Sequence, residues 1–127
     1  MKHRIIQISS GSVSVYANLA TTPTADAIWN ALPITSEVNT WGDEIYFSVP
    51  VTLELEQDAA EVVECGDLGY WPSGSAFCIF FGPTPVSRKG EIRPASAVNV
   101  FGKIKGDTSI LKRIKPGSRI VIARADT

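Results

Sequence analysis

Between Ser12 and Leu19 the chain alternates strictly, with Val13, Val15, Ala17 and Leu19 on one side and Ser12, Ser14, Tyr16 and Asn18 on the other. A period of two with one apolar face is the pattern of a half-buried β-strand. The β-branched run Arg4 to Ile8, separated from it by Ser9-Ser10-Gly11, completes a first hairpin. The period then changes. Thr22 is a capping residue, Pro23 suits a first helical position and Pro33 a stop, so the spacing predicts a helix over 23–32. Ala25, Ile28, Trp29 and Leu32 form its apolar stripe, and Trp29, the largest member, is expected to plug the core.

Strand character returns from Ile34 to Glu56, broken by Asn39-Thr40-Trp41-Gly42-Asp43 and by Pro50. Within it Ile45, Phe47 and Val49 point one way while Glu44, Tyr46 and Ser48 point the other, which suits a sheet with one wet or cavity-lining face. The acidic run Glu54 to Glu64 reads as a solvated connection. Gly66 to Pro85 holds the densest aromatics among glycines and prolines and predicts two short strands joined by a tight turn. Pro83 to Pro94 is a loop, Val98 to Lys105 a strand, Thr108 to Ile114 a short helix capped by Asp107, and Arg119 to Ala123 the last strand. Seven or eight short strands, two short helices and no βαβ repeat fit an antiparallel barrel or sandwich, and the closed barrel of about eight strands, in a single domain over 1–127, is the preferred expectation. Gly69 and Gly102 fit bends in such a sheet.

Composition narrows the function classes. Twelve basic against thirteen acidic residues leave a net charge of -1, with both signs scattered, so there is no electrostatic footprint for nucleic acid or an anionic membrane. The basic cluster Lys112, Arg113 and Lys115 falls where a helix ends and complements its dipole. No apolar segment approaches a membrane span or a secretory signal core, and Cys65 and Cys78 are expected as reduced thiols in a cytoplasmic protein. His3 is the only histidine, which argues against a zinc site or a histidine-based catalytic pair, and calcium-loop spacing is absent, so no cofactor or metal is expected.

Several stretches carry a family resemblance. Val100-Phe101-Gly102-Lys103-Ile104-Lys105-Gly106-Asp107, a short helix and the closing Ile120-Val121-Ile122-Ala123 resemble the C-terminal part of the cyclophilins. Pro23 to Leu32 is similar to the first cyclophilin helix, and Gly74-Ser75-Ala76-Phe77 to the Gly-Ser-Gln-Phe strand start. With GDLGYWPSG, FCIFFGPTP and the Pro94-Ala95-Ser96 step, the chain is more similar still to small bacterial and archaeal cyclophilin-like proteins of unassigned function. The resemblance implies a compact eight-stranded barrel capped by helices, and fold alone does not imply isomerase activity. The isomerase residues do not carry over. No arginine stands near Phe47-Ser48-Val49-Pro50, the glutamine position is Ala76, the second phenylalanine is Cys78, the histidine is Val98, and the tryptophan position finds only Arg93 or Pro94. An arginine reaching the groove from elsewhere, Arg4, Arg88 or Arg93, stays open.

Three readings follow. The favoured one is a non-catalytic domain that binds a small molecule or peptide through leftover aromatic surface, with Trp41, Tyr46, Tyr70, Trp71, Phe80, Phe81 and Thr84 as candidate ligand-binding residues. In FCIFF, Phe77, Ile79 and Phe81 share one face and Cys78 and Phe80 the other, so two apolar faces need cover, and helices are the expected cover. Trp41, beside Gly42 in a turn, either closes a barrel end or stacks on a ligand. The second reading is an enzyme, an atypical peptidyl-prolyl isomerase or a hydrolase built on Asp43, Glu44 or Asp67. The third is an interaction module, with monomer and homodimer equally open.

Overall fold

The computed structural model describes residues 4–125, so His3 lies outside the described residues. Nine strands form one sheet: β1 (Ile5–Ser10), β2 (Val13–Leu19), β3 (Ile34–Glu37), β4 (Asn39–Thr40), β5 (Glu44–Ser48), β6 (Asp67–Trp71), β7 (Ala76–Phe80), β8 (Asn99–Lys105) and β9 (Arg119–Arg124). Their spatial order is β3-β9-β1-β2-β8-β6-β7-β5-β4, and every pairing is antiparallel. The two outermost strands are consecutive halves of one segment, separated only by Val38. At Val38 the backbone turns to residues 117 and 118, donating to the Ser118 carbonyl and accepting from Gly117 N–H. One half of the segment pairs with β9 and the other with β5, so the sheet closes on itself as an antiparallel barrel with almost no free edge. Counting β3 and β4 as one bent strand gives the eight that the sequence pattern predicts.

The first hairpin turns at Gly11, whose φ of +59° is the left-handed conformation that glycine adopts without strain. The alternation of β2 is realised directly, with Val13, Val15 and Ala17 buried and Ser12, Ser14, Tyr16 and Asn18 exposed. Inward residues from all around the barrel meet in one core, in which Phe47 stacks on Phe77 at 4.9 Å between ring centroids and Phe101 meets Phe77 edge-on at 5.0 Å.

The helix α1 (Pro23–Ala31) starts where its cap predicts, with Thr22 Oγ1 accepting from Ala25 N–H at 3.0 Å. It buries Ala25 and Ile28 in the core. Trp29 does not plug that core. Its ring is half-buried at the margin with the Arg124 guanidinium 4.5 Å from its centroid, a placement that buries the hydrocarbon and stacks a cation on its face. The second predicted helix is a 3-10 segment, Ser109–Arg113, with Asp107 accepting from Ser109 N–H at 2.9 Å. Leu111 packs inward from it.

The largest departure from the sequence pattern follows Pro50. Residues 51–66 form no strand, and their only ladder-type pairings are isolated bridges at Ala60 to Val98 and Val63 to Ile92. Side chains replace the ladder. The buried Tyr70 hydroxyl donates to the Val51 carbonyl at 2.6 Å and accepts from Leu53 N–H at 3.2 Å. The Asn99 amide, 1% exposed, accepts from Glu56 N–H at 2.7 Å and donates to the Glu54 carbonyl at 3.0 Å and to Thr24 Oγ1 at 3.1 Å. Thr24 in turn donates to Glu56 through its hydroxyl and its backbone N–H. Asn99 therefore joins β8, the first turn of α1 and the 51–66 segment.

Truncating Asn99 would remove three hydrogen bonds at once and leave the part-buried Glu56 N–H and Glu54 carbonyl without their partner. Asn99→Ala is expected to destabilise the domain by about 2 to 4 kcal/mol in denaturant unfolding and to open residues 51–66 to limited proteolysis. Stability within about 0.5 kcal/mol of the parent, with unchanged proteolysis, would show that the segment is held by other means.

Candidate functional site

Strand β7 is apolar on both faces and buried at every position, and the adjoining parts of β5, β6 and β8 are covered on their outer side as well. Inward Phe47, Phe77, Ile79 and Leu68 belong to the main core, while outward Ala76, Cys78 and Phe80 join Val63 and Val98 in a second buried cluster. The cover for this outer face is not helical, as the pattern suggested, but consists of the irregular segments 51–66 and 82–98. Gly69, at a register shift between β6 and β8, makes the close approach possible: a Cβ there would lie 2.8 Å from a Val98 methyl and 3.1 Å from the Phe80 ring.

Between the turn that carries Trp41 and residues 94–98 of this cover, a cavity of about 290 Å³ remains against the outer face of β5, β7 and β6. Trp41, Tyr46 and Trp71 supply its aromatic surface, and Cys78, Val98, Pro94, Ala95 and Glu44 complete the lining. Of the positions that the cyclophilin resemblance assigns to the isomerase groove, Cys78 and Val98 line this cavity, as does Pro94, one of the two residues weighed for the tryptophan position.

Each wall has a local cause. Trp41 donates its backbone N–H to the Glu44 carbonyl at 2.9 Å and precedes Gly42, whose φ is +63° and whose Cβ would collide with Pro83 and Pro85. Only glycine lets this turn dock on the 83–85 loop and hold the indole over the opening. Trp71 is fixed by its indole N–H, which donates to Ser96 Oγ at 2.6 Å. Pro94 and Ala95 are set by a knot of hydroxyls. Ser87 Oγ accepts from the Thr84 and Arg93 backbone N–H groups, both at 2.9 Å, and the Thr84 hydroxyl donates to the Arg93 carbonyl.

The seven candidate residues are thus distributed. Trp41, Tyr46 and Trp71 surround one cavity. Tyr70 is fully buried in the main core, its hydroxyl used in holding the 51–53 backbone. Phe80 is fully buried beside Gly69, Phe81 is half-buried against the main core, and Thr84 spends its hydroxyl inside its loop. Of the three arginines left open, Arg4 pairs with Asp26 at 2.8 Å, Arg88 is exposed, and Arg93 pairs with Glu91 at 2.7 Å beside a neighbouring hollow. No arginine, lysine or histidine among the described residues lines the aromatic cavity. Of the carboxylates weighed for hydrolysis, Asp67 accepts from Glu64 N–H at 2.8 Å in a turn, and Asp43 packs against Gly82. Among the described residues no cluster of three or more histidine, cysteine or acidic side chains could hold a metal, and no helix is long and apolar enough to cross a membrane.

Glu44 is the residue that sequence reasoning undervalued, although it shares a face with Tyr46 by simple alternation. It is 6% exposed, and its buried Oε1 has no hydrogen-bond partner among the described residues. Burial raises its pKa from 4.5 to about 7, with a smaller opposing effect from the Cys78 thiol. Burial, reinforced by the Glu44 charge, pushes the Cys78 thiol well above the ordinary thiol range.

The fold and this groove define a class. The chain belongs to the Cyclophilin-like family, whose model matches residues 4–123. It is similar to the hypothetical protein AF2241 from Archaeoglobus fulgidus, whose solution structure superposes with a TM-score of 0.82 at 44% identity, covering 97% of this chain and 95% of that one. McbB, solved in complex with tryptophan, shares the fold at 15% identity and a TM-score of 0.72, over 96% of this chain and 46% of the McbB chain. The comparison with curated proteins finds no match.

Because the folded-state pKa of Glu44 exceeds the unfolded value, the folded state holds this proton more tightly. Below 4.5 the carboxyl is protonated in both states; between 4.5 and about 7 the unfolded chain ionises first and stability falls; above 7 the loss is complete. The parent protein is expected to lose on the order of 3 kcal/mol across this window relative to Glu44→Gln, or on the order of 10 °C in melting temperature. Parallel melting profiles for the two proteins between pH 5 and 8 would remove Glu44 as the titrating group.

Proposed function

We propose that this protein is a binding domain for a small, largely apolar molecule, and that the cavity among Trp41, Tyr46 and Trp71 is its site. The observation that carries the reading is a preformed concavity lined by three aromatic side chains and one carboxyl group with a buried, unpartnered oxygen, the usual make-up of a small-molecule pocket. Its volume of about 290 Å³ favours a compact ligand over an extended peptide, since small-molecule pockets begin at roughly 300 Å³. The rigid docking of Trp41 and the hydrogen-bonded Trp71 support a pocket that needs no rearrangement to be filled.

An atypical prolyl isomerase is less well supported. Stabilising a twisted prolyl amide calls for a charged donor aimed at the reacting carbonyl, and the cavity walls carry no cationic side chain. A proline-peptide assay is expected to give the uncatalysed rate; acceleration that disappears in Arg93→Ala would overturn the binding-only reading.

Two of the three tryptophans face the cavity, so occupancy is readable by fluorescence. Small aromatic probes such as indole are expected to change the emission of the parent protein saturably. Ala95→Trp, a substitution at an exposed wall position, should abolish the change without altering stability. A response that persists unchanged in Ala95→Trp places the binding elsewhere.

A further inference from the structure

Glu44 sits in the cavity wall with its charge unanswered. It lies at the start of β5 opposite Phe80, and among the described residues its Oε1 is both buried and unpaired. The titratable groups facing it are Tyr46 from its own strand and Cys78 from β7; β6 contributes Trp71 and the 94–98 segment contributes Pro94, Ala95 and Val98, none of them titratable here. Asp43 is turned to Gly82, and Arg93 is engaged by Glu91. A carboxylate removed from water with no counter-ion, and with only the weakly donating Cys78 thiol beside it, is costly unless it is protonated or meets a cation. The rest of the wall is suited to a cation, because the faces of Trp, Tyr and Trp carry negative quadrupole potential and attract ammonium groups, most strongly when water is excluded.

We propose that the ligand is a small organic ammonium, a primary or secondary amine on a compact apolar body, whose N–H groups donate to the Glu44 carboxylate while its hydrocarbon packs on Trp41, Tyr46 and Trp71. This rests on the pocket assignment above and adds the ligand class to it. A metal ion is a poor substitute, since hard cations need several oxygen ligands and this wall offers one carboxylate. A quaternary ammonium would satisfy the aromatic faces but has no N–H to donate. A neutral alcohol of the same shape would leave the charge of Glu44 unanswered.

The test is a titration of the full chain with 2-phenylethylamine, its N,N,N-trimethyl derivative and 2-phenylethanol, followed by tryptophan fluorescence and by the indole N–H resonances of Trp41 and Trp71. At pH 8 the amine is expected to bind at least about tenfold tighter than the alcohol or the trimethyl derivative, the difference belonging to one charge-assisted hydrogen bond. Lowering the pH to 6 should weaken amine binding roughly tenfold, because only the ionised carboxylate is competent and Glu44 titrates near 7. Alcohol binding should stay level over the same range. Glu44→Gln should erase both the amine preference and its pH dependence. The pH arm uses the parent protein, so the proposal remains open to refutation even if that variant folds poorly. Equal affinity for amine and alcohol, or an amine preference retained in Glu44→Gln, overturns the ammonium assignment while leaving the pocket intact. Equal affinity for the trimethyl derivative overturns the N–H donation to Glu44. The absence of any response from Trp41 and Trp71 to all three probes overturns the ammonium assignment and the pocket together.

Discussion

The Asn99 side chain is the fixed point on which the outer half of this molecule depends. Two of its three hydrogen bonds go to backbone groups of the 51–66 segment, which has almost no ladder partners of its own, and the third goes to the start of α1. Buried backbone N–H and carbonyl groups must be paired, and a segment that is not a strand can meet that requirement only through side chains or water. Tyr70 meets it for Val51 and Leu53, and Ser87 and Thr84 do the same for the 82–94 loop. A few polar side chains thus give two irregular segments the positional definition that helices would otherwise supply.

That definition matters because a strand beneath is apolar on both sides. A strand such as β7, buried at every position from Ala76 to Phe80, has no solvent face, and its outer side chains must be covered. Cover made of loops is less continuous than cover made of a helix, and the gap it leaves is the aromatic cavity. Gly69 deepens the effect, since its missing side chain lets Val98 and Phe80 sink toward the sheet and lowers the floor. The cavity is a consequence of how the outer face is covered.

The barrel was legible in the sequence because its signals are local. Alternation in β2, the Thr22-Pro23 cap and the turn at Gly11 each act within a few residues, and all three appear where the pattern puts them. What was not legible depends on partners distant along the chain. Leu53 and Leu55 alternate with polar neighbours as a strand would, but no ladder is available to them and Tyr70 captures the adjacent backbone instead. Trp29 has the periodicity of a core residue, yet at the barrel margin Ile28 fills the core and Arg124 covers the indole. The cavity residues divide in the same way. Tyr46 followed from alternation, as Glu44 could have, whereas the convergence of Trp41, Trp71 and Pro94 requires the Trp41 turn and the 82–98 segment to be placed against β6 first. Tyr70 and Thr84 carry the same side-chain chemistry as residues that bind ligands, and only the structure reveals that their hydroxyls are already committed to the backbone.

Glu44 brings these two levels together. On β5 it takes an outward position that would be harmless on a solvated sheet, where a carboxylate belongs. The loops that cover Cys78 and Phe80 enclose Glu44 as well, and a residue compatible with the strand becomes incompatible with its surroundings. The energetic conflict is on the order of 3 kcal/mol, a sizeable part of the 5 to 15 kcal/mol by which domains of this kind are stable. An alanine or leucine at the same position would relieve it and leave the cavity purely apolar. Because the other lining residues are apolar or aromatic, the conflict is concentrated in one side chain of the cavity wall.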